Sequence, residues 1–232
     1  MKILALETSA TAASVAVCED EALIAQSFQR TGLTHSATLM PMVESMLKNT
    51  GITMNDIDLI AVASGPGSFT GLRIGVSAAK GLAWAEDKPC ASVSTLEAMA
   101  WQMSGMDAIV CATMDARRQQ VYNALFEIKD NVPVRITLDR PISLEDLMDE
   151  LKNIKKEKII VGDGAQLCYN TCQKYGISAQ TAPPHLLYQS AWGVARCALE
   201  QARNGDLTNA ACLIPNYHRL SQAERERLEK QS

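Results

Sequence analysis

The chain has 232 residues, 47% apolar and 21% charged, enough to bury about 70% of its unfolded surface without disulfide or metal staples. That composition excludes disorder and fibrous repeats. Its 22 basic and 26 acidic residues leave a net charge of −4, which argues against gripping a polyanion unaided.

The expected elements alternate. Strands are expected at 3–8, 13–18 and 22–28, joined by turns at 9–12 and 19–21. A helix over 34–49 follows, capped by Thr34, with Leu39, Met42, Val43, Met46 and Leu47 on one stripe. Gly51 can end it in a left-handed turn. The apolar run 59–63 suits a strand buried on both faces. It enters Ser64-Gly65-Pro66-Gly67-Ser68-Phe69-Thr70-Gly71, and a helix over 72–85 comes next. A strand at 90–93 leads to Ser94-Thr95-Leu96-Glu97, a capping box that opens a helix to Met103.

The second half repeats the plan. Strands are expected at 108–114, 120–126 and 132–138, with a turn at 115–118. Ser143 caps a helix to Asn153, and a strand at 158–161 enters Gly162-Asp163-Gly164-Ala165. Helices follow over 166–175 and 190–203, and Ser221-Gln222-Ala223-Glu224 opens a charged terminal helix. The repetition is one of pattern, not of residues. It predicts a duplicated α/β fold of the actin-like (ASKHA, ribonuclease-H-like) kind, two lobes with mixed sheets flanked by helices. The expected division is 1–105 and 106–212, with 213–232 packing back on the first lobe. Topology of this kind leaves function open.

The longest uncharged stretch, 175–195, is broken by Pro183, Pro184, His185 and Gln189, so no membrane span is expected. The N-terminus lacks the basic region, apolar core and cleavage pattern of a leader. Cysteines at 18, 90, 111, 168, 172, 197 and 212 are scattered and odd in number, as buried free thiols in a reducing cytoplasm would be. Cys168 and Cys172 can share a helix face, but no further cluster completes a zinc site, and no metal is expected.

Several residues carry candidate chemistry. Gly65, Gly67 and Gly71 leave room for another backbone or for a phosphate, and Ser68, Thr70 and the N–H groups of the following helix can receive an anion. A tight strand-to-helix turn is the equal alternative, and the string is not a Walker A loop. Glu7-Thr8-Ser9 ends the first strand, where Glu7 can face phosphate and magnesium or cap the turn. His35 reads as a capping or surface residue. Arg117 and Arg118, adjacent at a turn, read as solvated. On the helix after the glycine loop, Leu72, Val76, Ala79 and Ala83 form one stripe and Ile74, Ala78 and Leu82 the opposite one. A helix apolar on two sides is covered on two sides, by the sheet and then by either another chain or the 34–49 helix.

Ile3-Leu4-Ala5-Leu6-Glu7-Thr8-Ser9, the string from Gly65 to Gly75, Met114-Asp115-Ala116-Arg117-Arg118, Gly162-Asp163-Gly164-Ala165 and Pro215-Asn216-Tyr217-His218-Arg219 through Ala223-Glu224 closely resemble the bacterial TsaB (YeaZ) family. The likeness runs over the whole chain; His218 stands where the family more often has an apolar residue. The resemblance implies an actin-like fold and a part in placing a threonylcarbamoyl group on N6 of adenosine 37 in tRNAs that read codons beginning with adenine. It implies pairing with a catalytic paralog, TsaD, and with the small ATPase TsaE, tRNA being met through the complex, and a homodimer when the chain is alone.

The paralog carries a metal-binding His-x-x-x-His pair after the matching strand. This chain has Thr95 and Met99 there, neither a ligand suited to such an ion. The resemblance therefore implies a non-catalytic cytoplasmic scaffold with no cofactor of its own. ATP, ADP and metal belong to the partners, with room for weak nucleotide binding at Glu7, Thr8, Ser9, Gly65, Gly67, Ser68, Thr70 and Gly71. The family pairs through its first two helices. That places the interface on His35, Leu39, Met42 and Met46, and on Leu72, Arg73, Val76, Ala79, Lys80 and Ala83. Two other classes remain: a nucleotide-hydrolysing enzyme working through Glu7, Thr8 and the glycine loops, and a protease, for which no nucleophile–base set stands out.

Overall fold

A computed structural model describes residues 1–218. β1 (Lys2–Glu7), β2 (Ala13–Glu19) and β3 (Ala22–Gln29) form an antiparallel meander. α1 (His35–Thr50) crosses to β4 (Leu59–Gly65), and α2 (Phe69–Ala85) crosses to β5 (Cys90–Ser94). The sheet order is β3-β2-β1-β4-β5, with β1, β4 and β5 parallel. Gly51 takes the left-handed cap at φ 69°, whereas Thr34 has cap backbone geometry but no side-chain cap bond.

α3 (Thr95–Trp101) leads into the second sheet, its N-terminus capped by Ser94 Oγ, which accepts the Glu97 N–H at 3.2 Å. β6 (Ile109–Asp115), β7 (Gln120–Lys129), β8 (Val132–Arg135) and β9 (Arg140–Ser143) precede α4 (Leu144–Leu151). β10 (Lys158–Val161), α5 (Ala165–Lys174), β11 (Gln180–Thr181) and α6 (Ala191–Asn204) complete the described elements. The order β11-β10-β6-β7-β8 repeats the first sheet strand for strand, β6 standing for β1 and β10 for β4. The two lobes share one topology.

The central strands β1 and β4 are buried along almost their whole length, as apolar parallel strands covered on both faces must be. On one face Leu4, Leu6 and Val62 meet Leu39, Met42 and Val76 of α1 and α2. On the other, Ile3, Ala61 and Val93 meet Val194, Ala198 and Leu199 of α6. α3 is shared by the two lobes, with Leu96 and Met99 against Val110 and Phe126, and Ala98 and Trp101 toward α6. A Cβ on Gly193 would lie 2.0 Å from the Ala98 carbonyl oxygen, so α6 and α3 touch at their backbones.

Three expectations change. The strand expected over 132–138 ends at Arg135, and a separate strand at 140–143 pairs with the other end of β7. The break sits at Asp139, held at 2.5 Å by both Arg135 and the Ser94 hydroxyl. The helix expected in the second lobe over 190–203 covers the first sheet. The chain returns to the first lobe at α6, not at residue 213, because the apolar second face of β1 and β4 needs a cover. α3 also stops at Trp101, not Met103. The expected helix with its Ser221-Gln222-Ala223-Glu224 box lies outside the described residues, and among those described no helix is long and apolar enough to cross a membrane.

Candidate functional site

The ends of β1 and β4, the β6–β7 turn and the β10–α5 turn converge on a cleft of about 640 Å³ between the lobes. Glu7 closes β1 beneath its floor, fully buried, with Oε1 accepting the Ser9 N–H at 2.6 Å and Oε2 lacking a hydrogen-bond partner among the described residues. Burial pushes this carboxyl up from 4.5 to about 7, the Ser9 hydroxyl and amide pull it down, and the charge of Asp163 adds to the rise. Asp163, from the second lobe, is also raised, first by burial and then by Asp115. The Gln189 amide, donating at 3.0 Å, opposes that rise.

The glycine string between β4 and α2 is filled by the chain itself. A Cβ on Gly65 (φ +144°) would lie 2.2 Å from the Asn216 carbonyl oxygen, and one on Gly71 would lie 2.1 Å from that of Thr8. A Cβ on Gly67 would lie 2.6 Å from the Ser9 carbonyl oxygen. Thr8 Oγ1 donates to the Gly71 carbonyl at 2.8 Å, and the Ser68 N–H donates to the Ser9 carbonyl at 2.7 Å. Ser68 Oγ caps α2 by accepting the Gly71 N–H at 3.3 Å. Of the two sequence readings, the tight turn describes Gly65, Gly67 and Gly71, where the space a side chain would fill holds backbone, and Ser68, whose hydroxyl caps the helix. Thr70 points away from the cleft into the groove between α1 and α2.

The last described residues form one wall of the cleft. Cys90 and Thr208 exchange backbone hydrogen bonds at 2.8 Å, Lys80 Nζ donates to the Ala211 carbonyl at 3.2 Å, and the Asn216 N–H donates to the Ser64 carbonyl at 2.7 Å. Tyr217 stacks on Phe69 with centroids 4.3 Å apart, and its hydroxyl accepts from Arg73 Nε at 2.9 Å. Arg73 lies over the Phe69 ring at 3.9 Å. His218 meets the edge of Tyr122 in the second lobe. Opposite, the Arg30 guanidinium lies 4.2 Å from the ring centre of Tyr188. His35 spends Nε2 on the Ala10 carbonyl at 2.7 Å.

The expected partner surface divides in two. Leu39, Met42 and Met46, with Leu72, Val76, Ala79 and Ala83, are core side chains under the first sheet, at most 5% exposed. As a docking surface they are corrected: the sheet already covers them. Arg73 donates to Tyr217 and Lys80 to the Ala211 carbonyl of the same chain. The outward face of the helix pair is a groove of about 480 Å³ whose lining includes His35, Leu39 and Arg73 of the expected residues, together with Met40, Phe69, Ile74, Ser77 and Ala78. Leu33 and Trp84 add exposed apolar surface at 64% and 71%. Gly71 and Gly75 mark the inward stripe, since a Cβ on Gly75 would lie 2.3 Å from Thr8 Oγ1. Thr95 and Met99 are buried. Arg30, Tyr188 and Tyr122 were not expected at the site. Arg30 and Tyr188 meet across 158 residues of sequence, which no local pattern reveals.

Two lobes of the same strand order around a central cleft define the actin-like class of α/β proteins. A family model described as "TsaD: tRNA N6-adenosine threonylcarbamoyltransferase" matches residues 29–226. The Bacillus subtilis tRNA threonylcarbamoyladenosine biosynthesis protein TsaB is 31% identical over 240 residues, covering 100% of both chains. A Pseudomonas aeruginosa structure described as similar to peptidase YeaZ superposes with a TM-score of 0.79 at 24% identity, over 94% of this chain and 99% of that one. Component A of (R)-2-hydroxyglutaryl-CoA dehydratase from Acidaminococcus fermentans shares the fold at a TM-score of 0.52 and 13% identity, over 88% of this chain and 99% of that one. The chain belongs to the TsaB (YeaZ) family, within the broader family of that TsaD model.

Proposed function

We propose that this chain acts in tRNA threonylcarbamoyladenosine biosynthesis as a non-catalytic subunit that binds and activates the catalytic paralog TsaD, with TsaE as the third member. The reading is carried by the outward groove of α1 and α2, where Met40, Ile74 and Ala78 leave apolar surface that a partner would cover, with Trp84 exposed further along α2. The same groove serves a homodimer when the paralog is absent. Of Thr95 and Met99, standing where the resemblance puts a metal-binding histidine pair in the paralog, Met99 packs in the apolar core and Thr95 is a buried hydroxyl, and neither is a ligand suited to such an ion. tRNA threonylcarbamoyl transfer, reconstituted with the paralog, TsaE and a threonylcarbamoyl-adenylate supply, tests the reading: product requires both this chain and the paralog, and this chain alone makes none. Product formed equally well without it refutes the reading.

The cleft favours a second reading, a nucleotide hydrolase in which Glu7, held near neutrality, takes a proton from water. Magnesium-dependent ATP turnover that Glu7→Gln abolishes would establish it. The filled glycine turn weighs against it, since the phosphate seat is occupied by the Thr8, Ser9 and Asn216 backbone. The protease alternative finds no support in His35, held by Ala10, or in cysteines that are buried apart from Cys212.

A further inference from the structure

The arginines sort by position. Arg135, Arg140, Arg196 and Arg203 each pair with a carboxylate. Arg30, Arg73, Arg117 and Arg118 have no carboxylate within 4.0 Å among the described residues; Arg30 and Arg117 line the cleft, Arg118 follows Arg117 on its turn, and Arg73 lies on the neighbouring α1–α2 groove. Arg30 and Arg73 rest on aromatic rings that line the cleft. Arg117 and Arg118 occupy the β6–β7 turn with Gln119, all three left-handed at φ 66°, 53° and 58°. Asp115 Oδ1 fixes that turn by accepting the Arg117 N–H at 2.7 Å, and the Gln120 N–H bonds the Arg117 carbonyl at 3.1 Å. In a chain of net charge −4, three of the four described arginines without an acidic partner, Arg30, Arg117 and Arg118, are therefore gathered on one rim.

Charge also changes with depth. Asp163 lines the cleft with Glu7 buried beneath it, the carboxyl of each raised first by burial and further by the charge of a neighbouring aspartate. The walls carry Phe69, Tyr122, Tyr188 and Tyr217. A phosphate is attracted to the rim and repelled from the floor, while a flat neutral base has aromatic surface between them. Arginines that track phosphates beside aromatic rings are the chemistry of single-stranded RNA recognition.

We infer that the cleft rim, through Arg117 and Arg118 with Arg30 beside them, holds the sugar-phosphate backbone of an unpaired stretch of tRNA. This inference rests on the reading of the chain as part of a tRNA-modifying complex and adds a direct RNA contact by this subunit. The polymer is favoured over a free nucleotide because the glycine turn that would seat a nucleotide's phosphates is filled by backbone.

Fluorescence anisotropy of an end-labelled tRNA, titrated across salt concentrations, tests it in two arms: the complex with the paralog, and this chain alone at low salt. The paired substitutions Arg117→Ser and Arg118→Ser weaken binding and lower the slope of log affinity against log salt by about 1 for each arginine. Lys174→Ser, on exposed α5, leaves both unchanged. An unaltered slope in the arginine variant overturns the inference, and so does displacement of the tRNA by millimolar AMP or ATP, which assigns the rim to free nucleotides. If the paralog does not bind this chain, yet the chain alone shows the arginine-dependent slope, the scaffold reading fails and this one stands.

Discussion

Glu7→Gln removes a buried charge while keeping the side chain's shape and the acceptor that holds the Ser9 N–H. The folded protein keeps the Glu7 proton until about pH 7, whereas the unfolded chain releases it near 4.5. Between those values the folded state binds more protons, so this contribution to stability is complete below pH 4.5 and is lost as pH rises through 7. At about 1.4 kcal/mol for each tenfold difference in proton affinity, the carboxylate costs the wild type about 3 kcal/mol by pH 8. The glutamine variant avoids that cost. It is expected to lie within about 1 kcal/mol of the wild type at pH 5 and to exceed it at pH 8 by about 3 kcal/mol, roughly 6–12 °C in melting temperature for a chain of this size. Urea unfolding followed by tryptophan fluorescence from pH 5 to 8.5 measures the difference directly. A difference that stays flat across the range refutes the raised carboxyl and the desolvation argument beneath it.

Ile74→Asp, on the outer groove, leaves the melting temperature within a few degrees but abolishes pairing with the paralog in size-exclusion chromatography. Val76→Asp, two residues later, on the opposite face of α2 and 3% exposed, unfolds the first lobe by burying an unpaired charge that costs several kcal/mol. Gly71→Ala forces a methyl against the Thr8 carbonyl oxygen, 2.1 Å from the ideal Cβ position, and destabilises sharply. Gly81→Ala meets nothing within 4 Å and stabilises by about 0.8–1 kcal/mol in chemical denaturation. With Ellman's reagent the native protein titrates Cys212 alone, the other cysteines being buried, and the rest react only on unfolding.

Apolar runs and cap residues made most elements legible. β1, β4 and β10 are short continuous apolar stretches, Gly51 closes α1 in the left-handed region, and Ser94 and Ser143 cap the helices they open. β9 escaped because Pro141 interrupts it and because its pairing with Tyr122 is set by the break at Asp139, a tertiary feature. The two faces of α2 are both apolar, so hydropathy could not orient it. Gly71 and Gly75, four residues apart on one side, held the answer, because only a backbone approach as close as that of Thr8 explains them. The return of α6 to the first sheet follows from how much apolar strand surface remains uncovered there, a quantity fixed by the assembled fold. The cleft rim was unreadable for the same reason, Arg30, Arg117 and Tyr188 coming together only when the lobes close on each other.

The central claim is tested most directly by measuring threonylcarbamoyladenosine formed on tRNA by the paralog and TsaE with wild-type chain, with Ile74→Asp, and with no added chain. The account predicts product with the wild type and only background in the other two. Full product without the chain, or with Ile74→Asp at wild-type rate, would contradict it.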